Sequence, residues 1–270
     1  VDGVLRDGDG LFLFNFRADR MRQITRALFS DDFDAFEREA RPDLAGLVSM
    51  TRYESDFPLP VAFPPQELHG SLGEVVSGLG WRQLRIAETE KYAHVTYFLN
   101  CGREKPFPAE DRQMIPSPRE VATYDLKPEM SAQEVTALAL EKLPEYDLVV
   151  CNLANLDMVG HTGVIDATVR AVEVVDACVG KLVDAALAHG GRVLLTADHG
   201  NAEEMLDADG GPQTAHSCNP VPLVLIEEGV EDRSLEAGLL GDIAPTLLGL
   251  WDIAPSEGMT GRNLLKEKGE

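Results

Sequence analysis

Five side chains of the kind that bind metal ions lie close to apolar runs of the sequence. Asp157 and His161 follow one such run, and Asp198 and His199 follow the next one along the chain. His216 stands shortly before a third apolar run. Carboxylate and imidazole groups together suit divalent manganese or zinc. We therefore predict that Asp157, His161, Asp198, His199 and His216 form a metal centre.

Three cationic side chains are candidates for binding an anion. Arg17 and Arg20 stand at the entrance of a predicted helix, where guanidinium groups and free amides can face a phosphate or a carboxylate. An arginine-rich first turn is also common on a solvated helix face, so both interpretations stay open. Lys91 lies among glutamates, where it is either an exposed loop charge or a group that neutralises a transferring phosphoryl group.

The elements that position these residues follow from apolar periodicity. Apolar runs predict strands at 11–16, 47–50, 83–87, 95–100, 148–153, 193–197 and 223–226. Helical patterns lie at 19–28, from 131 to about 143, and at 164–189. Such alternation predicts an α/β sheet covered by helices on both faces, in which ligands bind beyond the carboxyl ends of the strands. The metal centre is therefore expected at one rim of a single sheet.

A capping box is predicted at the start of the second helix. Ser131 can accept a hydrogen bond from the amide of Glu134, whose carboxylate can reach back to the first residue of the box.

Composition excludes several classes of function. The 270 residues include 24 Lys and Arg against 46 Asp and Glu, a net charge of -22 that argues against nucleic acid or an anionic membrane as a partner. The apolar runs are far shorter than the roughly 20 residues of a membrane span. Cys101, Cys151, Cys178 and Cys218 form no CxxC pair, which is typical of reduced thiols in the cytoplasm.

Prolines divide the chain. Prolines at 58, 60, 64 and 65 interrupt regular structure, because proline lacks an amide donor and fixes its backbone angle. We predict a hinge at 65–70 between an amino-terminal part, 1–64, and a larger domain, 71–270.

Seven longer strings carry a family resemblance. They lie at 88–96, 102–108, 115–118, 123–131, 157–163, 196–201 and 214–216. They resemble the cofactor-independent phosphoglycerate mutases of the alkaline phosphatase superfamily, and the likeness extends from about residue 8 to the last residue. The resemblance implies an α/β fold with an alkaline-phosphatase-like sheet sandwiched by helices, preceded by part of an inserted α/β transferase domain that binds substrate.

The resemblance also implies a reaction and its residues. The family interconverts 2-phosphoglycerate and 3-phosphoglycerate in glycolysis, an isomerase reaction that proceeds through a phosphoserine and uses two divalent ions, here expected to be manganese. By this match Asp157, His161 and His216 form one metal site, and Asp198 and His199 belong to the second. The match also implies that Lys91 assists phosphoryl transfer. Arg17 and Arg20 are implied to bind the small-molecule substrate.

The chain departs from the family pattern in one respect. Neither the serine nucleophile nor a further aspartate ligand occurs in its family context, so we expect both in an amino-terminal part of the same protein that acts as the partner of this chain. The chain alone is then expected to be inactive. Two alternatives stay open: a metal-binding fragment without turnover, and a phosphohydrolase of the same superfamily in which Arg17 and Arg20 have no role.

Overall fold

The chain divides into two units, Val1–Glu67 and Leu68–Glu270. This computed structural model describes residues 3–64, 68–229 and 233–267. Part of the hinge predicted at 65–70 lies outside the described residues.

The smaller unit is a parallel sheet with one helix. Its elements are β1 (Gly10–Leu13), α1 (Asp19–Phe29), β2 (Gly46–Thr51) and β3 (Val61–Phe63). The strands pair in the order β1-β2-β3, all parallel. Leu13, Leu47 and Tyr53 are buried together in its core. The strand predicted at 11–16 ends early, and β3 was not predicted because prolines flank it.

The larger unit contains the remaining elements. They are α2 (Leu72–Gly78), β4 (Gln83–Glu88), α3 (Thr89–Ala93), β5 (Glu110–Ile115), α4 (Ala132–Lys142), β6 (Leu148–Asn152), α5 (Asn155–Gly160), α6 (Ile165–Ala188), β7 (Val193–Thr196), β8 (Leu223–Ile226), β9 (Arg233–Leu235), α7 (Ile243–Leu250) and β10 (Leu265–Glu267). The helices predicted at 19–28 and 164–189 are confirmed as α1 and α6.

Strand β4 is the centre of the main sheet. It pairs in parallel with β5 on one side and β6 on the other, and each of its six residues is buried. Leu84 and Ile86 pack against Val135 and Ala139 of α4. Arg85, on the other face, approaches Gly73 of α2. The sheet is therefore covered by helices on both faces, as predicted.

The prediction of a single sheet for both acid–imidazole pairs was wrong. Within residues 68–229 and 233–267, β6 belongs to the parallel sheet, whereas β7 pairs antiparallel with β8 in a separate two-stranded sheet. Strands β9 and β10 form a second two-stranded antiparallel sheet. Apolar runs indicate that a segment is a buried strand, but they do not identify its hydrogen-bonded neighbour.

The strand predicted at 95–100 is helical. Helix α3 continues into a π-helical turn, His94–Phe98. The buried side chains there include Lys91, Val95 and Asn100, which lie at helical rather than alternating spacing. Val95 and Thr96 are β-branched and favour strands intrinsically, but here tertiary packing overrides that preference.

Strand β5 was not predicted, because its sequence begins with charged residues. Glu110 is nevertheless buried, and one of its carboxylate oxygens accepts a hydrogen bond from Arg112 Nε at 2.6 Å. A charged residue in a strand is accommodated when its partner lies on the same strand face two residues away.

The predicted capping box was also wrong. Helix α4 begins after Ser131 as expected, but no side-chain hydrogen bond caps it. The Ser131 hydroxyl instead donates to the carbonyl of Pro116 at 2.8 Å. The serine therefore ties α4 to the segment after β5.

The four cysteines are free thiols, as predicted. In the parts of the chain that the structure describes, no helix has the length and apolar character to cross a membrane.

Candidate metal centre

The centre is built around Asp157, the third residue of the short helix α5 that follows β6. His161 comes one helical turn later, so both side chains lie on one face of the helix. Its Nε2 is 3.0 Å from Asp157 Oδ1.

His216 completes a group of three. Its Nε2 is 3.2 Å from Asp157 Oδ1 and 3.1 Å from His161 Nε2. The ligand atoms of a tetrahedral metal site with bonds of about 2.0–2.1 Å lie about 3.3 Å apart. The spacing of these three atoms therefore fits a single divalent cation, which would sit where three electron-rich atoms meet.

The tautomer of His161 favours this role. Its Nδ1 lies 2.6 Å from the carbonyl oxygen of Thr214. A carbonyl only accepts hydrogen bonds, so Nδ1 is the donor in this contact, and Nε2 is the ring atom that faces Asp157 and His216. A backbone acceptor on the far ring nitrogen is a common feature of metal-binding histidines.

The second acid–imidazole pair lies beside the group of three. His199 Nε2 is 3.9 Å from Asp157 Oδ1 and 3.6 Å from Asp198 Oδ1. The ring of His199 stacks on that of His216, with centroids 3.7 Å apart. The structure thus places His199 beside the inner three residues, and Asp198 joins the group through its contact with His199.

Lys91, on α3, joins the same cluster. Its ammonium contacts Asp157 Oδ2, and its side chain is only 8% exposed. Burial by itself raises the pKa of Asp157, but hydrogen bonds from Lys91 and Asn201 and the charge of Lys91 outweigh it and hold that pKa below its usual value. Asp157 is therefore an ionised carboxylate, the form that binds a cation.

Arg17 and Arg20 belong to the smaller unit. Both are exposed, Arg17 just before α1 and Arg20 within its first turn. Ala18 precedes the helix and offers no side-chain cap to its first amides. Both arginines therefore lie at the entrance of α1, and their binding of an anion there stays a prediction.

Sequence reasoning assigned no role to Asn201 or Glu203. Asn201 is buried, and its Nδ2 donates to Asp157 Oδ1 at 3.1 Å. Glu203 accepts from the amide of Asn201 at 2.7 Å. The only available signal was their position in the loop that carries Asp198 and His199.

A family model described as Metalloenzyme superfamily matches residues 21–254. The chain belongs to the metalloenzyme superfamily. The match covers most of the chain, so the predicted alkaline-phosphatase-like α/β fold is confirmed. Within this superfamily, the group formed by Asp157, His161 and His216 is suited to a divalent metal ion.

Within the metalloenzyme superfamily, the chain is most usefully compared with relatives that have a specific name. The chain is 61% identical over 267 residues to a 2,3-bisphosphoglycerate-independent phosphoglycerate mutase of Nitratidesulfovibrio vulgaris, covering 98% of the chain and 52% of that protein. It is 59% identical over 262 residues to the protein of the same name from Syntrophotalea carbinolica, covering 96% of the chain and 51% of that protein. The chain therefore spans about half the length of the curated relatives it matches.

A solved structure agrees. The fold resembles that of Leishmania mexicana phosphoglycerate mutase, crystallised at low cobalt concentration, with a TM-score of 0.82 and 32% identity. The similarity covers 98% of this chain and 52% of that one.

Proposed function

We propose that the protein containing this chain is a cofactor-independent phosphoglycerate mutase, which interconverts 2-phosphoglycerate and 3-phosphoglycerate through a phosphoserine. The observation that carries the proposal is the contact of Lys91 with Asp157 inside a cluster of metal-binding imidazoles. The similarity to proteins named as mutases supports this reaction over others of the superfamily.

Two divalent ions, most simply manganese, belong to the proposed mechanism. Asp157, His161 and His216 would hold one ion. Asp198 and His199 would contribute to the second, with a further ligand from the amino-terminal part of the same protein. When bound, the ions would lower the pKa of the attacking hydroxyl and neutralise phosphate oxygens.

Lys91 binds the transferring phosphoryl group. Its ammonium is buried and pre-positioned by Asp157, so its charge acts in a poorly solvated site where electrostatic stabilisation is strong. Arg17 and Arg20 bind the carboxylate or phosphate of the glycerate, because guanidinium groups match such anions with paired hydrogen bonds.

The two parts of the chain have separate tasks in this proposal. Residues 1–64 are the carboxy-terminal part of a transferase domain that binds substrate, residues 65–70 are the hinge, and residues 71–270 are the metal-binding, phosphatase-like domain. The serine nucleophile belongs to an amino-terminal part of the same protein, and the match to about half of each relative supports that assignment. The chain alone is then inactive.

Product analysis distinguishes a mutase from a phosphohydrolase with the same metal centre. The full-length protein with Mn²⁺ and 2-phosphoglycerate is followed by ³¹P NMR. A mutase forms 3-phosphoglycerate without inorganic phosphate, whereas a hydrolase releases phosphate.

An arginine variant tests the substrate site in the same assay. We expect the double variant Arg17→Met, Arg20→Met to lose mutase turnover by about 100-fold or more, because positioning of the glycerate is lost. Arg41→Met is the matched control, since Arg41 bonds instead to the carbonyl of Phe29 and to Asp31. Unchanged turnover in the double variant, or phosphate as the main product, would contradict the mutase assignment.

A further inference from the structure

Asn201 holds the carboxylate of Asp157 from the side opposite Lys91. Its Nδ2 is 3.1 Å from Asp157 Oδ1 and 3.3 Å from the backbone oxygen of the same residue. Lys91 contacts the other carboxylate oxygen. A carboxylate rotates easily about its last torsion, so two donors on different oxygens fix its plane.

The packing around Asn201 is tight. Asn201 is 4% exposed. A Cβ added to Gly160 would lie 2.4 Å from Asn201 Oδ1, so the close approach of this side chain requires glycine at position 160. Asn201 therefore occupies a place built for it beside α5.

Glu203 links the loop after β7 to the loop that carries His216. One of its oxygens accepts from the amide of Asn201 at 2.7 Å. The other accepts from the hydroxyl of Ser217, the residue after His216, and from Asn219 Nδ2 at 3.1 Å. The amide of Ser217 in turn donates to the carbonyl of Gly200 at 3.0 Å.

The contacts between these two loops leave no room for a side chain at Gly200. A Cβ on Gly200 would lie 2.2 Å from Ser217 Oγ and 2.3 Å from Glu203 Oε1. Hydrogen bonding by Ser217, the first of several causes, lowers the pKa of Glu203 to about 2. Glu203 is therefore an ionised acceptor throughout the neutral range.

We propose that Asn201 and Glu203 are positioning residues of the metal centre: Asn201 orients Asp157, and Glu203 holds the His216 loop against the loop of His199. The inference deepens the proposed function and rests on it, because it presupposes that Asp157 and His216 bind a metal ion. Neither residue needs to touch the ion. Partners of metal ligands act by fixing the ligand's direction and basicity.

The two carboxylate oxygens of Asp157 therefore have different partners. Asn201 occupies one lone pair of Oδ1 and leaves another directed toward His161 and His216. Without Asn201 the carboxylate is free to turn both oxygens toward Lys91. The preformed ligand geometry, rather than the fold of the unit, is what the asparagine maintains.

A manganese titration tests the inference. The full-length protein is stripped with a chelator and titrated with Mn²⁺, and free Mn²⁺ is measured by electron paramagnetic resonance. Relative to wild type, we expect Asn201→Ala to raise the Kd of the tightest site by about 10- to 100-fold, and Glu203→Gln to raise it by about tenfold. Glu204→Gln is the matched control, because the described contact of that carboxylate is with Asn219 Nδ2 at 3.0 Å, and its Kd should not change.

Further readouts separate positioning from general loss of structure. Asn201→Asp keeps the size of the side chain but removes the donor, so it should weaken Mn²⁺ binding as Asn201→Ala does. Both variants should keep the circular dichroism spectrum of the metal-free wild type, and the resonance line shape of bound Mn²⁺ should change.

The outcomes are distinct. Wild-type Kd in Asn201→Ala, Asn201→Asp and Glu203→Gln would overturn the positioning roles while leaving the metal centre in place. If Asn201→Ala does not fold, Asn201→Asp and Glu203→Gln decide in the same titration. Failure of the wild-type protein to bind Mn²⁺ would overturn the proposed metal centre and this inference with it.

Discussion

Buried charged side chains lie near both ends of β4, but they have different partners. Near its amino end, Arg85 is completely buried and donates to Gln83 Oε1 at 2.6 Å, and Gln83 donates to the carbonyl of Gly73 at 2.8 Å. Just beyond its carboxyl end, Lys91 is buried against Asp157. The described hydrogen-bond partners of Arg85 and Gln83 are amide and carbonyl oxygens. The partner of Lys91, Asp157, also faces the imidazoles of three histidines.

The neighbouring strand extends the contrast. Beside the amino end of β4, Glu110 accepts from Arg112 Nε at 2.6 Å, Asn100 Nδ2 at 2.7 Å and the amide of Phe107 at 3.2 Å. These bonds tie β5 to the segment after the π-helical turn. Buried charge therefore does not by itself identify a site. The convergence of metal-binding groups on one carboxylate oxygen does.

Removal of Glu110 should affect stability alone. Glu110→Ala leaves Arg112 and Asn100 without their shared acceptor, and loss of one partner of a buried ion pair costs about 3–5 kcal/mol. We expect the free energy of unfolding in urea to fall by this amount, with Mn²⁺ affinity unchanged in the folded protein. A large loss of Mn²⁺ affinity with unchanged stability would contradict a purely structural role for the buried charges near the amino end of β4.

Removal of Lys91 should affect activity. We expect Lys91→Met to lower kcat of the full-length protein in the proposed mutase reaction by about 100- to 1000-fold, as does removal of a group that stabilises transition-state charge. Lys127→Met is the control, because Lys127 pairs with the exposed Glu120. Turnover close to wild type in Lys91→Met would show that this buried charge is structural, like those at the amino end.

A change at Gly160 tests the site through its packing. Gly160→Ala forces the new methyl group against Asn201 Oδ1. We expect Mn²⁺ affinity to fall by about tenfold, since Asn201 must move from Asp157. Gly78→Ala is the control, because a Cβ at that helical position meets nothing within 4 Å. Equal Mn²⁺ affinities in the two variants would argue against close coupling of Asn201 to the metal centre.

The smallest effect is expected at Ser131. Among the described contacts, its hydroxyl donates to the carbonyl of Pro116 at 2.8 Å and has no contact with the metal-binding side chains. Ser131→Ala should lower the free energy of unfolding by about 1 kcal/mol without changing kcat. A loss of kcat would extend the functional region to α4.

Much of the site could be predicted from local sequence. Asp157 and His161 lie one helical turn apart shortly after β6, and Asp198 and His199 follow β7 directly, so element types sufficed to place four ligands near strand ends. Long-range pairing could not be predicted in the same way. β7 pairs with β8 rather than with the main sheet, and nothing in an apolar run specifies that choice.

Side-chain direction was the other gap. From sequence alone, the charged residue Glu110 favours a loop at β5, and only its buried partners explain the strand. Asn201 likewise reads as a turn residue, and only the fold shows its contact with Asp157. Both depend on contacts between segments distant in sequence. A local pattern contains no information on such contacts, because hydrogen-bond partners are chosen by the tertiary fold.

The decisive measurement is mutase turnover of the full-length protein after removal of metal, followed as Mn²⁺ is added back. We expect chelation to abolish interconversion of the two phosphoglycerates, and Mn²⁺ to restore it in wild type but not in Asp157→Asn. Turnover that survives complete chelation, or that Mn²⁺ restores equally in Asp157→Asn, would contradict the assignment of Asp157 and its imidazole neighbours as the metal centre of a mutase.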